Sequence, residues 1–176
     1  MIGAAPKLAL FEETMLPHLD AAYNMARWVT GNEDDAQDVV QEAYLRAFRF
    51  FDGFRGGDAR PWLLAVVRNT ALTWRRRARA STHVSFDEEL HGPGAGPATA
   101  ETQLVEGVKF AGLRDCLELL PREFREVVVM WEMEEMSYRD IAEAASVPVG
   151  TIMSRLSRAR QRLLDCMKAR MKEASK

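Results

Sequence analysis

A chain of 176 residues, 47% hydrophobic and 28% charged with a formal net charge of −2, carries enough apolar material for one domain or two small ones. No apolar run approaches the roughly 20 residues needed to cross a bilayer, and the opening MIGAAPKLALFEE lacks the basic start and long apolar stretch of a secretory leader, so a cytoplasmic protein is predicted. Cys116 and Cys166 lie far apart with no Cys or His at ligand spacing, and His18, His83 and His91 are scattered; the pair reads as two ordinary reduced thiols, with no metal site and no cofactor.

Charge is segregated along the chain. Residues 1–80 hold 11 Lys+Arg against 10 Asp+Glu, residues 81–106 hold 0 against 5, and residues 107–176 hold 13 against 11. In the first segment, DDAQDVVQEAYLRAFRFFDGF places Ala36, Val40, Ala43, Ala47 and Phe51 on one helical stripe, with Asp38, Gln41, Glu42, Leu45 and Arg49 opposite and Gly53 as a stop. RPWLLAVVRNTALTWRRRAR follows as a second helix, opened by Pro61 in its first turn and closed by the basic knot RRRAR at 75–79. STHVSFDEELHGPGAGPATAETQLVE has no Lys or Arg and no sustained period, and it reads as a flexible acidic linker.

Beyond the linker, FAGLRDCLELL and PREFREVVVMWEM predict two more amphipathic helices, the second opened by Pro121. Met130, Met133 and Met136 recur at i, i+3, i+6 and read as adaptable core or interface packing. In SYRDIAEAASVPVGTIMSRLSRARQRLL, Ser137 suits an N-cap with Asp140 three residues on, Ile141, Ala142 and Ala145 form an inner face, and SVP breaks the helix. A second helix starts near Val149 and buries Ile152, Leu156, Ala159 and Leu163, while Thr151, Arg155, Arg158 and Arg162 repeat one position away. Two helices, a short turn and a basic outer face make a helix-turn-helix, whose arginines suit the phosphate line and guanine edges of DNA. No alternating strand pattern is present, so the predicted class is all-α: two small helical domains, 8–80 and 107–172, joined by the linker 81–106.

These blocks, in this order, resemble regions 2 and 4 of the sigma-70 superfamily of RNA polymerase sigma factors, in its compact extracytoplasmic-function (ECF) group. The resemblance implies a non-enzymatic alternative sigma factor that binds core RNA polymerase, through the β′ clamp helices and the β subunit, and takes it to promoter DNA. It implies polymerase contacts for Asp38, Gln41 and Glu42 on DVVQEA. For the minus-10 element it implies base reading by Asn69, phosphate contacts by Arg55, Arg68 and Arg75, and stacking by Trp62 or Trp74, although tryptophan at helical spacing is more often core. For the minus-35 element it implies Ser154, Arg155, Ser157 and Arg158 near bases, with Tyr138, Thr151, Arg160 and Arg162 at phosphates. Met153 stands where the family often has Lys or Arg, and an apolar side chain there suits a thymine methyl rather than guanine. An anti-sigma factor is the implied regulator. A stand-alone helix-turn-helix regulator and a sigma-mimicking decoy for an anti-sigma factor are the alternative readings; nothing resembles a nucleophile, paired catalytic carboxylates or a phosphate-cradling glycine loop.

Overall fold

The computed structural model describes residues 4–81 and 112–174, and among these every regular element is helical. The linker expectation falls on residues outside the described ones. The N-terminal half contains α1 (Ala4–Met15), a 3₁₀ turn (Leu16–His18), α2 (Leu19–Thr30), α3 (Glu33–Phe50), a second 3₁₀ turn (Phe51–Gly53) and α4 (Ala59–Ser81). Helices α1 and α2 were not separately assigned from the sequence; α2 buries Ala21, Ala22, Met25, Ala26 and Val29.

Helices α2, α3 and α4 pack on one another as the first half's core. Gly31, at φ +89, ends α2 in the left-handed region, and Asn32 immediately caps α3 by accepting from the Asp35 backbone N–H at 2.7 Å. Glu33, Asp34 and Asp35 fill the first turn of α3, where carboxylates meet the positive end of the helix dipole. The buried residues of α3 are Ala36, Val40, Ala43 and Ala47 of the expected stripe, joined by Val39, while Phe51 is buried in the turn that follows. Helix α1 is seated by Phe11, edge-on to Tyr44, Phe48 and Phe51, and by Lys7, which donates to Asp52 at 2.8 Å. Asp58 accepts from the Arg60 N–H at 3.0 Å and so caps α4, with Pro61 in its first turn as read.

The second half contains α5 (112–118), α6 (Arg122–Val128), a π turn (Val129–Met133), α7 (Tyr138–Ala145) and α8 (Val149–Ala174). The expected single helix PREFREVVVMWEM gives way after Val128 to the π turn, which closes with the Glu134 N–H donating to the Val129 carbonyl at 3.1 Å. Met130 and Met136 are fully buried, whereas Met133 is exposed. The Ser137 hydroxyl accepts from the Asp140 N–H, the expected cap. Helix α7 ends at Ser146, φ +55, with the Ser146 N–H donating to Glu143 O and the Val147 N–H to Ala142 O, the paired bonds of a Schellman ending built without glycine.

The cysteines correct the sequence reading. Cys116 of α5 and Cys166 of α8 form a disulfide, S–S 2.03 Å, with Cα atoms 5.9 Å apart. Their separation of 50 residues left no local signal; it is the seating of α5 beside α8 that brings the two backbones within bridging distance.

The two halves share one continuous buried cluster. Helix α7 lies on α4, and α6 lies on α2. Arg125 of α6 fastens the seam, donating to Glu118 O at 3.0 Å, Leu120 O at 3.1 Å and Trp28 O of α2 at 3.4 Å. Burial, and after it the charge of Arg75, lowers the pKa of this guanidinium from its ordinary value.

Candidate polymerase and nucleic-acid interfaces

On α3, Asp38 and Gln41 are exposed on one face. Glu42 is half-buried and already engaged, pairing with Arg46 one turn on and reaching Arg77 of α4 at 3.9 Å. The exposed polar face thus narrows to the Asp38 carboxylate and the Gln41 amide, followed one turn on by Leu45 at 63% exposure. A large leucine that far into solvent, on the same helix face as an exposed carboxylate two turns earlier, is a combination suited to a protein partner.

The minus-10 candidates lie in and before α4. Arg55 and Asn69 are exposed, and Arg75 donates to Val29 O at 2.7 Å. Trp62 is half-buried, its ring 5.5 Å from that of Phe54. Trp74 is half-buried as well, and its indole N–H donates to Asp35 at 3.0 Å, a structural bond tying α4 to α3. Arg68 is placed differently from the other candidates. Only 9% exposed, it points into the seam and donates from Nε to Glu126 at 3.0 Å and from a terminal nitrogen to Ala144 O at 3.4 Å.

The minus-35 candidates lie on α8 and at the start of α7. Ser154, Ser157 and Arg158 are exposed and share one outward face with Met153, 55% exposed. Ile152, Leu156 and Ala159 hold the opposite side in the core, as the periodicity required. Thr151 is half-buried in the first turn of α8. Arg155 leans back, half-buried, to 3.7 Å from Glu123. Arg160 donates to Glu132 at 3.0 Å, and this bond raises its pKa. Arg162 lies over the Phe124 ring at 5.2 Å, and Tyr138 stacks on Trp131.

Sequence reasoning missed Glu126 and Glu134, buried at 3% and 2% exposure. For Glu126 the available signal was a carboxylate followed directly by Val127, Val128, Val129 and Met130, all buried.

A helix-turn-helix whose second helix is apolar inward and Ser/Arg-rich outward, packed on a helical domain ending in an arginine knot, defines a two-part all-helical protein of helix-turn-helix class. Two family models match in chain order: sigma-70 region 2 over residues 15–81 and sigma-70 region 4 over residues 111–163. The chain belongs to the sigma-70 family of RNA polymerase sigma factors, in its ECF group. It is 31% identical over 163 residues to the ECF RNA polymerase sigma factor SigE of Mycolicibacterium smegmatis, covering 93% of this chain and 63% of that relative, so it spans under two thirds of that protein's length. It is 32% identical to the ECF sigma-E factor of Haemophilus influenzae, covering 78% of this chain and 76% of the relative. The solved structure of sigma factor RpoE from Bartonella quintana, in complex with the anti-sigma factor NepR, superposes with a TM-score of 0.73 at 28% identity, covering 90% of this chain and 96% of that one. CnrH, solved in complex with the cytosolic domain of CnrY, shares the fold with a TM-score of 0.62 at 24% identity, covering 90% of this chain and 88% of that one.

Proposed function

We propose that this chain binds core RNA polymerase in the cytoplasm and directs it to promoters, acting by binding rather than by catalysis. The observation that carries the reading is the ordered pair of family matches combined with an outward α8 face of Ser154, Ser157 and Arg158. In this reading residues 8–80 supply polymerase docking and minus-10 melting, 81–106 connect, and 107–172 read the minus-35 duplex.

Asp38 and Gln41 carry the docking contact to a basic coiled surface such as the β′ clamp helices, with Glu42 holding the face in place through Arg46. Asn69 reads an unstacked base with an amide that both donates and accepts, while Arg55 and Arg75 steer the strand's phosphates. Melting then rests on capture, which offsets an unstacking cost of a few kcal/mol. On α8, Arg158 and the two serines meet base edges, Met153 meets a thymine methyl, and Thr151, Tyr138, Arg160 and Arg162 line the phosphate path with Arg155. The relatives solved with anti-sigma factors support a protein inhibitor of that class for this chain.

Gel filtration with bacterial core polymerase tests the reading. Comigration is expected, and it is expected to fail for Asp38→Lys combined with Gln41→Lys, a pair exposed enough to leave the fold unchanged. A chain that never comigrates, yet binds duplex DNA through Arg158, is a stand-alone regulator and overturns the proposal.

A further inference from the structure

Positive charge gathers in one cleft of this acidic chain. The whole sequence carries a formal net charge of −2, yet a cleft of about 1140 Å³ is lined by six arginines, Arg27, Arg75, Arg79, Arg114, Arg122 and Arg125, against two glutamates, Glu118 and Glu123. Its walls are the C-terminal half of α2, the end of α4, and α5 with the start of α6. Glu123 reaches out of it to Arg155 at 3.7 Å, and Arg27 meets Glu33 only at 3.6 Å through Nε. Arg79 and Arg114 are exposed. The Arg125 guanidinium leans on three backbone carbonyls, and its Nε is buried without a hydrogen-bond partner. Cations crowded into a partly desolvated cleft favour an anion among them, and guanidinium groups match phosphate oxygens two at a time.

The rest of the lining has a second chemistry. Tyr23, Asn24 and Trp28 share one face of α2, the two rings half-buried and the amide exposed. A ring offers its π face to a nucleobase, and an amide offers both a donor and an acceptor to the base edge. The volume lies just above the roughly 300–1,000 Å³ usual for small-molecule clefts. Of the residues assigned above to DNA or polymerase, Arg75 alone lines it.

We infer that this cleft is a binding site for a nucleoside polyphosphate, with the phosphates among the arginines and the base against Trp28. A DNA strand fits it less well, because Asn69 and the outward face of α8, the groups suited to reading bases in a strand or a duplex, lie outside the lining. The site gives the chain a small-molecule input. Its occupancy follows the concentration of a nucleotide, and a ligand that binds the folded chain stabilises it by mass action.

The test titrates the full chain calorimetrically with ATP, GTP and inorganic triphosphate, and follows the thermal midpoint with each. One nucleotide per chain is expected, with a midpoint raised by several degrees at about a hundredfold excess over the dissociation constant. Triphosphate, which lacks the base, is expected to bind about tenfold more weakly. Arg79→Glu with Arg114→Glu changes two exposed positions, so the unliganded midpoint should hold while nucleotide affinity falls about tenfold or more. Trp28→Phe should weaken the nucleotides several-fold and leave triphosphate unchanged. No binding by the parent chain overturns the inference. Triphosphate binding as tightly as the nucleotides overturns the nucleoside class. Displacement of ATP by a randomised single-stranded DNA 20-mer at equal phosphate concentration overturns it in favour of a strand. Binding that appears only after Asp87, Glu88, Glu89, Glu101 and Glu106 are changed to their amides overturns it in favour of the chain's own carboxylates. Polymerase comigration does not enter any of these outcomes, so failure here leaves the sigma factor reading standing.

Discussion

Trp131 and Tyr138 stack with ring centroids 4.2 Å apart and planes inclined by 27°, bridging the π turn to the first helix of the helix-turn-helix. The stack places Tyr138 beside Arg160, whose guanidinium is already spoken for by Glu132. Glu132→Gln is expected to free that arginine for a phosphate. Duplex DNA affinity should rise two- to fivefold, about 0.5–1 kcal/mol, the scale of an exposed ion pair, and the slope of log affinity against log salt should steepen by about one contact. A salt titration of anisotropy with duplex DNA measures both.

Arg158 shares the outward α8 face with Ser154 and Ser157. Arg158→Ala is expected to cost about 1–3 kcal/mol in minus-35-dependent initiation while leaving polymerase comigration intact. In vitro transcription from promoters with and without an upstream element separates this from general loss of function.

Ser146 adopts φ +55 at the end of α7, a conformation that costs an L-residue with a Cβ about 1–2 kcal/mol relative to glycine. Ser146→Gly is expected to stabilise the fold by about 1 kcal/mol, less a part lost to the greater freedom of glycine in the unfolded chain. Urea denaturation should show a higher midpoint at an unchanged slope.

The Cys116–Cys166 bridge closes a loop of 50 residues, for which chain entropy gives up to about 4 kcal/mol of stabilisation. Thermal melts in excess reductant, or of Cys116→Ser with Cys166→Ser, should fall in midpoint, and free-thiol titration of the unreduced, denatured chain should return no reactive thiol.

Tyr44 donates its phenol to Met15 O at 2.9 Å, and burial, then the charge of Asp20, push its pKa up to about 12 from 10.0. The folded state therefore favours the protonated phenol. Its contribution is complete below about pH 10 and is lost as pH rises from there through about 12. Because the group is about half exposed, solvent screening discounts it to the order of 1 kcal/mol. Tyr44→Phe should remove that alkaline step, so that the parent-minus-variant stability difference shrinks between pH 9 and 12.

Much of the helix architecture was legible because it is local. The α3 stripe from Ala36 to Ala47, the Ser137 cap and the buried Ile152–Leu156–Ala159 series each depend on residues within a few positions of one another. What escaped depends on meetings across the chain. Cys116 finds Cys166 only after α5 has packed beside α8, Arg68 finds Glu126 only after the two halves have packed, and no spacing rule encodes a separation of 50 or 58 residues. Arg68 carries both outcomes: its place in the α4 motif was readable, whereas its occupation by a carboxylate was not. Glu42 was similarly read as part of an open acidic face, although its reach to Arg77 is set by how α4 lies along α3.

The bridge between α5 and α8 also has a mechanical consequence. Tension arriving along the backbone at residue 112 meets Cys116 within a few residues and divides there, one path continuing through α5 and the other crossing directly into the C-terminal half of α8. Helix α8 is thus tied covalently to α5. A pull arriving at α5 therefore reaches α8 through the bridge without first passing along α6 and α7, and with the bridge reduced it reaches α8 only through those helices and their packing.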